Sequence, residues 1–530
     1  MIEKIQQRPV LLALLGALLL FAGWPTSPFV VLLFVGFALL IVAANQMIIK
    51  SYSTKKYFGI TYLALFTWNL AATWWILNAT FAGMAMAVVF NSALMCIPFL
   101  LYRLSLKVKV IKTAPVVFIT SWLGYEYLHQ NWSINWPWLT LGNGFAKYPE
   151  LVQWYEITGA HGGSLWILVV AFLIATPLTD RSKALKRTLS IFAVVTVPVL
   201  VSLLFLTKSY EPVNKAEVLV VQPNYNTYTQ KSSSGSESIN VLDQLHGLVK
   251  LSESKITKQT KLVVWPETAI GGYMNEAQFS NTPHYKILME FLSKYPKVSI
   301  LSGLDCYSIC QNQQNPPQEA RYSERLGAYY TSHNAALMIS VDTLAFYHKS
   351  KFVPGAEITP FPWLAKPLAM LLGGVGFGQF YGQEDIVPFE TSTGIKVSPA
   401  ICYESVFGEF MGEFVRNGAH LHAIVTNDDW WHDTQGHKQH FLYAGLRAIE
   451  ARREIARSAN TGTSGYFNVF GDYEQDTPYR ESAVLCKMVN LYDHQTFYVA
   501  HGDFLARTAG YIAIILIISL FVKRFTPKNQ

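Results

Sequence analysis

The stretch VSPAICYESVFGEF, residues 397–410, carries an uncharged apolar run straight into a cysteine, a tyrosine and a glutamate. Two readings are open. In one, Cys402 is an inert core thiol and Glu404 opens a helix. In the other, the run is a strand that delivers a nucleophile to the rim of a site.

The neighbouring segments bear on the choice. Short β-rich apolar runs recur at 217–222, 261–265, 298–304, 334–341, 396–402, 422–427, 455–460 and 464–470. Helical patterns lie between several of them, near 236–257, 283–294, 404–416 and 436–453. Thr282 followed by Pro283 is a strong helix-entry signal. Nearly continuous apolar strands alternating with helices predict layered α/β structure with buried sheets. SSSGSES (232–238) reads as a flexible loop.

The first 207 residues have a different character. Over the whole chain, 51% of residues are hydrophobic and 15% charged, against about 25% charged in a typical soluble domain. Apolar runs stand at roughly 9–23, 28–48, 57–77, 80–102, 113–128, 164–179, 188–207 and 506–522. A bilayer core needs about 20 apolar helical residues, fewer where the flanks snorkel. The first run, with Lys4 and Arg8 ahead of it, is read as a span and not a signal peptide, because no small-residue cleavage site stands out and further spans follow at once.

The +7 net charge is informative in its placement. Lys50, Lys55 and Lys56 follow the second run. Arg103, Lys107, Lys109 and Lys112 follow the fourth, Arg181, Lys183, Lys186 and Arg187 the sixth, and Lys523, Arg524 and Lys528 the eighth. The alternate loops carry almost no positive charge. By the positive-inside rule eight spans are expected, with both termini cytoplasmic and 208–505 outside the cytoplasmic membrane. The expected domains are 1–207 (seven spans), 208–500 (a catalytic domain) and 501–530 (the last span and a tail). No basic patch calls for nucleic acid. Trp132, Trp136 and Trp138 suit either the headgroup layer or helix packing. The interrupted apolar segment 359–382 is either a lid dipping into the interface or a buried irregular loop.

Three strand ends place a polar residue after an apolar run: Glu267 in VVWPETAI, Lys349, Lys351 and Glu357 in AFYHKSKFVPGAEITPF, and Cys402 in SPAICYES. A nucleophilic thiol needs a proton acceptor and a cation beside it, and Glu, Lys and Cys supply these without histidine.

VVWPETA, KSKFVPGAE, PAICYES and TNDDWW resemble the nitrilase superfamily. That family's Glu-Lys-Cys triad sits on an αββα sandwich. A nitrilase-like domain between seven upstream spans and one downstream resembles the apolipoprotein N-acyltransferase family, and NWPWLTLGNGF, QPN and LRAIEARREIARSANTGTSG strengthen the likeness. The resemblance implies Glu267 as general base, Lys349 as catalytic lysine and Cys402 as nucleophile. It implies supporting roles for Glu357, Tyr403, Glu404 and Asn334, with Lys351 a surface charge. It implies no cofactor, a phospholipid acyl donor, and a diacylglyceryl-modified apolipoprotein as acceptor through an acyl-thioester on Cys402. The expected location is the bacterial inner membrane, with the catalytic domain on the periplasmic side. Two departures stand out. VPGAE replaces the usual Val-Pro-Phe-Gly-Glu, and NDDWWHD places Asp429 and His432 where glycine is common.

Other readings carry less. His432, Asp433, His437 and His440 lie close together, but no HExxH is present, and no metal is expected. Cys306 and Cys310 are either free or paired in an oxidising compartment. Cys96 and Cys486 read as packing residues. The rival activity is a membrane-anchored amidase or nitrile hydrolase that uses water as acceptor.

Overall fold

Each of the eight apolar runs coincides with a helix: Pro9–Ala22, Leu32–Ile49, Thr54–Thr73, Asn91–Lys107, Ala114–Gln130, Ala160–Ala175, Ala184–Leu206 and Phe504–Phe525. This is a computed structural model that describes residues 8–108, 113–176, 184–231, 234–359 and 379–525. The chain divides into two units, Met1–Lys208 with His501–Gln530, and Ser209–Ala500.

In the first unit, five helical segments among the described residues are long and apolar enough to cross a membrane: Leu32–Ile49, Thr54–Asn78, Gly83–Lys107, Ala184–Leu206 and Phe504–Arg524. Pro9–Ala22 and Ala160–Ala175 are apolar but shorter. Ala114–Gln130 contains Glu126, buried and held by Trp122 Nε1 and the Leu141 N–H at 3.0 and 2.9 Å. Eight spans therefore rest on charge alternation, while length qualifies five. Helix 114–130 meets helix 504–525 through glycines: a Cβ on Gly124 would lie 2.9 Å from Gly510 Cα. Small residues at such a crossing let two backbones approach closely. Trp138 is fully buried, with Trp75 and Trp136 ring centroids at 5.0 and 5.6 Å. Ring packing accounts for it.

The second unit is an αββα sandwich. Its strands are β1 (Asn214–Gln222), β2 (Thr260–Val264), β3 (Ile270–Asn275), β4 (Ser299–Ile309), β5 (Arg321–Ser323), β6 (Ala328–Ile339) and β7 (Leu344–His348), then β8 (Phe389–Glu390), β9 (Lys396–Ile401), β10 (Leu421–Thr426), β11 (Ile455–Ala459), β12 (Gly465–Phe467), β13 (Tyr473–Asp476) and β14 (Ala483–Leu491). One mixed sheet runs β14-β1-β2-β4-β6-β5, with β3 paired to β4 and β7 to β6; the other runs β13-β12-β11-β10-β9-β8. β1, β2 and β4 are parallel neighbours, as are β9, β10 and β11. Central parallel strands are covered on both faces, which is why they read as unbroken apolar runs.

Helices Val241–Glu253 and Pro283–Lys294 cover the outer face of the first sheet. Leu245, Leu248, Leu288, Phe291 and Leu292 pack there against Leu219, Val263, Ile300, Leu304 and Cys306. Thr282 caps the second of these helices, its Oγ1 accepting from Tyr285 N at 3.2 Å. The inner faces meet through Ser458 Oγ, which donates to Val221 O at 2.7 Å, and Tyr466 OH, which donates to Val218 O at 2.6 Å.

Cys306 and Cys310 do not pair; all five cysteines are free. β4 keeps residues 306–309 extended, and four residues of strand span about 13 Å, beyond the reach of a disulfide. Of the expected apolar segment 359–382, residues 360–378 lie outside the described residues.

Candidate active site

Cys402 follows β9 directly and takes φ +50°. A left-handed residue at a strand end turns the chain sharply, and for a non-glycine it costs about 1–2 kcal/mol. The turn is held from below. Glu404, fully buried, accepts from Ile401 N at 2.8 Å through one oxygen. Its other oxygen accepts from Tyr347 OH at 2.8 Å, Ser350 N at 2.6 Å and Lys351 N at 3.3 Å. One carboxylate thus ties the thiol's turn to the segment that follows Lys349. Burial raises the Glu404 pKa to about 7.

A second buried network lies behind the thiol. The Cys402 carbonyl meets Ser405 Oγ at 2.7 Å and His440 Nε2 at 3.1 Å. His440 Nδ1 lies 3.1 Å from Asp428 Oδ1, and Arg457 donates to Asp428 Oδ2 at 2.7 Å. Burial pushes the Asp428 carboxyl up, but the Arg457 guanidinium outweighs it and holds the group below the usual carboxylate range.

Glu267 comes from the segment after β2 and Lys349 from the residue after β7, both on the first sheet. Lys349 Nζ donates to Glu357 Oε1 at 2.7 Å and stands 3.7 Å from Glu267 Oε1. Asn334, on β6, donates its Nδ2 to Glu267 Oε1 at 2.8 Å and to Glu357 Oε1 at 3.2 Å. The Asn334 carbonyl also accepts from Lys349 N at 2.9 Å. Glu267 Oε2 accepts from Asn427 N at 3.0 Å. Lys349, Glu267, Asn334 and Cys402 are all buried.

The electrostatics follow from that enclosure. Burial raises the Glu267 pKa, opposed by Lys349 and assisted by Glu357. Burial would lower that of Lys349, but Glu357 and Glu267 reverse it, so the amine stays an ammonium. Burial raises the Cys402 thiol; Glu267 adds to this and Lys349 opposes it. At rest, then, a protonated thiol shares a buried pocket with Glu267 and an ammonium.

Glu357 keeps its place despite the altered VPGAE loop. Gly355 takes φ +83°, and Val353 N donates to Glu357 Oε2 at 2.8 Å. His432 adopts φ +53° where glycine is common. Asp429 is buried, accepting from Thr227 N at 2.9 Å and from Arg480 at 3.3 Å. Tyr403 is buried and turned within the same 3-10 segment, its ring 5.1 Å from that of Phe407. Lys351 is not the expected surface charge. It is half-buried, its ammonium 5.5 and 6.0 Å from the Phe407 and Phe410 ring centres.

The histidine cluster does not converge as a metal site. His437 pairs with Asp433 at 3.1 Å, while His440 serves Asp428 and the Cys402 carbonyl. Among the described residues a different set does converge. Donor atoms of Glu276, Cys306 and His348 lie within 4.8 Å of one another. There His348 Nε2 and Glu276 Oε2 satisfy each other at 2.7 Å, Ser308 donates to the same oxygen, and the thiol packs into the apolar core. That set reads as a hydrogen-bonded His–Glu pair beside a core cysteine.

The carbon-nitrogen hydrolase family matches residues 220–490, which take in β2 to β13, most of β14, the end of β1 and every side chain of this pocket. The chain belongs to that family. Ahead of its carbon-nitrogen hydrolase domain, residues 16–173 match the apolipoprotein N-acyltransferase N-terminal domain. Over the whole length the chain is 27% identical to an apolipoprotein N-acyltransferase of Chlorobaculum tepidum, covering 99% of this chain and 98% of that one. It is 24% identical to one from Geobacter metallireducens, over 95% and 94%. Solved structures similar to the carbon-nitrogen hydrolase domain include Saccharomyces cerevisiae Nit3, of the nitrilase superfamily, at 15% identity and TM-score 0.36, covering 53% of this chain and 93% of that one. Another is an amidase from Nesterenkonia sp. at 14% and 0.35, covering 55% and 95%.

Proposed function

We propose that this chain is an apolipoprotein N-acyltransferase that works by covalent acyl transfer through Cys402. The observation that carries the reading is the joining of two parts in one chain. A buried site holds Glu267 and Lys349 in mutual contact with Asn334 and Glu357, in the electrostatic reach of the Cys402 thiol. Upstream of it stands a set of apolar helices that match the N-terminal domain of the same acyltransferases.

Glu267 takes the proton from Cys402 Sγ. The sulfur attacks the ester carbonyl of a phospholipid acyl chain, and the Lys349 ammonium with a nearby backbone N–H stabilises the tetrahedral oxyanion. The C–O bond breaks, Glu267 returns its proton to the departing lysophospholipid alkoxide, and an acyl-thioester remains. The α-amine of a diacylglyceryl-cysteine at a lipoprotein N-terminus then attacks the thioester. Glu267 removes its proton, the C–S bond breaks, and the thiolate recovers the proton as the amide forms. The thioester keeps the acyl group activated, so ester becomes amide without a cofactor. Water must stay out of the pocket or the intermediate hydrolyses, and the buried setting of Cys402 and Lys349 serves that need. Both substrates are lipids, which fits a catalytic domain carried by membrane helices.

We further assign the protein to the bacterial inner membrane as a multi-pass chain, with 208–500 on the periplasmic side and both termini in the cytoplasm. Membranes containing the protein, given phospholipid with a labelled acyl chain, are expected to yield a labelled thioester on the Cys402 peptide. Lipoprotein N-termini are expected to gain a third acyl chain by mass spectrometry only when the protein is present. Turnover of a small amide with no thioester and no third chain would favour the hydrolase reading.

A further inference from the structure

The mechanism leaves one nearby ammonium unused. Lys231 ends NTYTQK, the segment after β1. That segment is fixed in place: the Gln230 and Lys231 N–H groups both donate to Asn226 O at 3.0 Å, and Thr227 N donates to Asp429. Lys231 Nζ donates to Thr268 O at 2.8 Å and to Thr268 Oγ1 at 2.9 Å. Thr268 follows Glu267 and holds φ +50°, a conformation a β-branched residue resists. From the other side β4 closes on the same turn. Gly303 N donates to Pro266 O at 3.0 Å, and a Cβ on Gly303 would lie 2.5 Å from both Glu267 Cα and Thr268 N. Two residues further on, Asp305 shares that face of β4, opposite the face of Leu304 and Cys306 that enters the core.

We propose that Lys231 is a positioning residue for Glu267: its ammonium pins the left-handed turn that aims the carboxylate and, against Asp305, sets the charge balance around it. The inference rests on the reading of Glu267 as the base. Glu267 is faced by Lys349 and Glu357 from the connections after β7, by Asn334 from β6, by the Asn427 N–H after β10, by Cys402 after β9, by Asp305 from β4 and by Lys231. Burial lowers Lys231 to about 8, while Asp305, Glu267 and Asp429 pull it back up. Burial raises Asp305 to about 6, with Glu267 adding and Lys231 opposing. Removing the cation disfavours the anionic forms of both Glu267 and the thiol. Removing the Asp305 charge favours them.

The test is the pH dependence of Cys402 alkylation by iodoacetamide in the full detergent-solubilised chain, followed on the Cys402 peptide by mass spectrometry. Lys231→Met is expected to slow alkylation about threefold at pH 7, where the Lys231 amine is charged, and Asp305→Asn to move the midpoint down by about half a pH unit or more. Lys231→Arg keeps the charge and is expected to retain the wild-type rate at pH 7. An unchanged rate at pH 7 in Lys231→Met overturns the proposal. If that variant does not fold, Asp305→Asn decides alone, and the absence of a downward shift overturns it. The readout uses no lipid, so a failure to find acyl-thioester in the wild type strikes the acyl-transfer reading and not this one. A Glu267→Gln variant with the wild-type midpoint would instead remove the base assignment, and this inference with it.

Discussion

As the proposed nucleophile, Cys402 depends on its surroundings: its thiol is buried and its pKa is pushed up by that burial, so proton removal by a neighbour is what would make it reactive. Cys402→Ala should therefore abolish the labelled thioester entirely. Lys349→Met should slow acyl-enzyme formation by about 10²–10³ if the ammonium meets the oxyanion, measured as the single-turnover rate. Glu404 makes a separate prediction. Its folded pKa, raised by burial to about 7 from 4.5, means the native state holds a proton that the unfolded chain releases. Its contribution to stability is therefore full below about pH 4.5 and declines as pH rises towards 7. Glu404→Gln should flatten that part of the melting-temperature profile. At this scale the pocket residues Glu267, Lys349, Glu357 and Cys402 were legible because each stands in a recognisable motif at or after an apolar run. Lys231, Asp305 and the Asp428–His440–Arg457 network were not, because each acts across segments that share no local pattern. His440 stood in view as one of several clustered histidines with no role assigned, and its ring serves the Cys402 carbonyl.

Strands buried on both faces announce themselves, and β1, β2, β4, β6, β9, β10, β11 and β12 all fall on apolar runs read from the sequence. β3, β5, β7, β8, β13 and β14 went unread. They are short or half-exposed, as in the exposed β13 and the two-residue β8, so their patterns blend into loops. β7 matters most among these, since it ends one residue before Lys349. The element that cradles Glu267 is likewise silent in sequence: Gly303 is one glycine in a strand, but its missing Cβ is what lets β4 meet the turn. Gly303→Ala places a carbon against backbone that cannot yield, and should destabilise the chain by about 1–3 kcal/mol. Activity should fall more than tenfold in the surviving folded fraction, checked by denaturation and single-turnover assay. In the helical unit, Gly124→Leu should separate helix 114–130 from helix 504–525 and lower the melting temperature in detergent.

At the scale of the chain, the placement of lysine and arginine asks for more than hydropathy does, because among the described residues helix length singles out five crossing candidates while charge alternation asks for eight. Reporter fusions settle the count. Alkaline phosphatase joined after Thr207 should be active and joined after Lys56 inactive; the reverse pattern would invert the assigned topology. Within the αββα unit, β6 carries a further consequence. Asn334 grips Glu267 and Glu357 with its side chain, and with its carbonyl it holds the amide of Lys349. A slip of β6 by a single residue would turn Asn334 to the other face and release Glu267, Glu357 and Lys349 at one stroke. On the proposed acyl-transfer mechanism, a mispaired molecule is thus left mute: it does not become a sloppy enzyme that spills activated fatty acid into water.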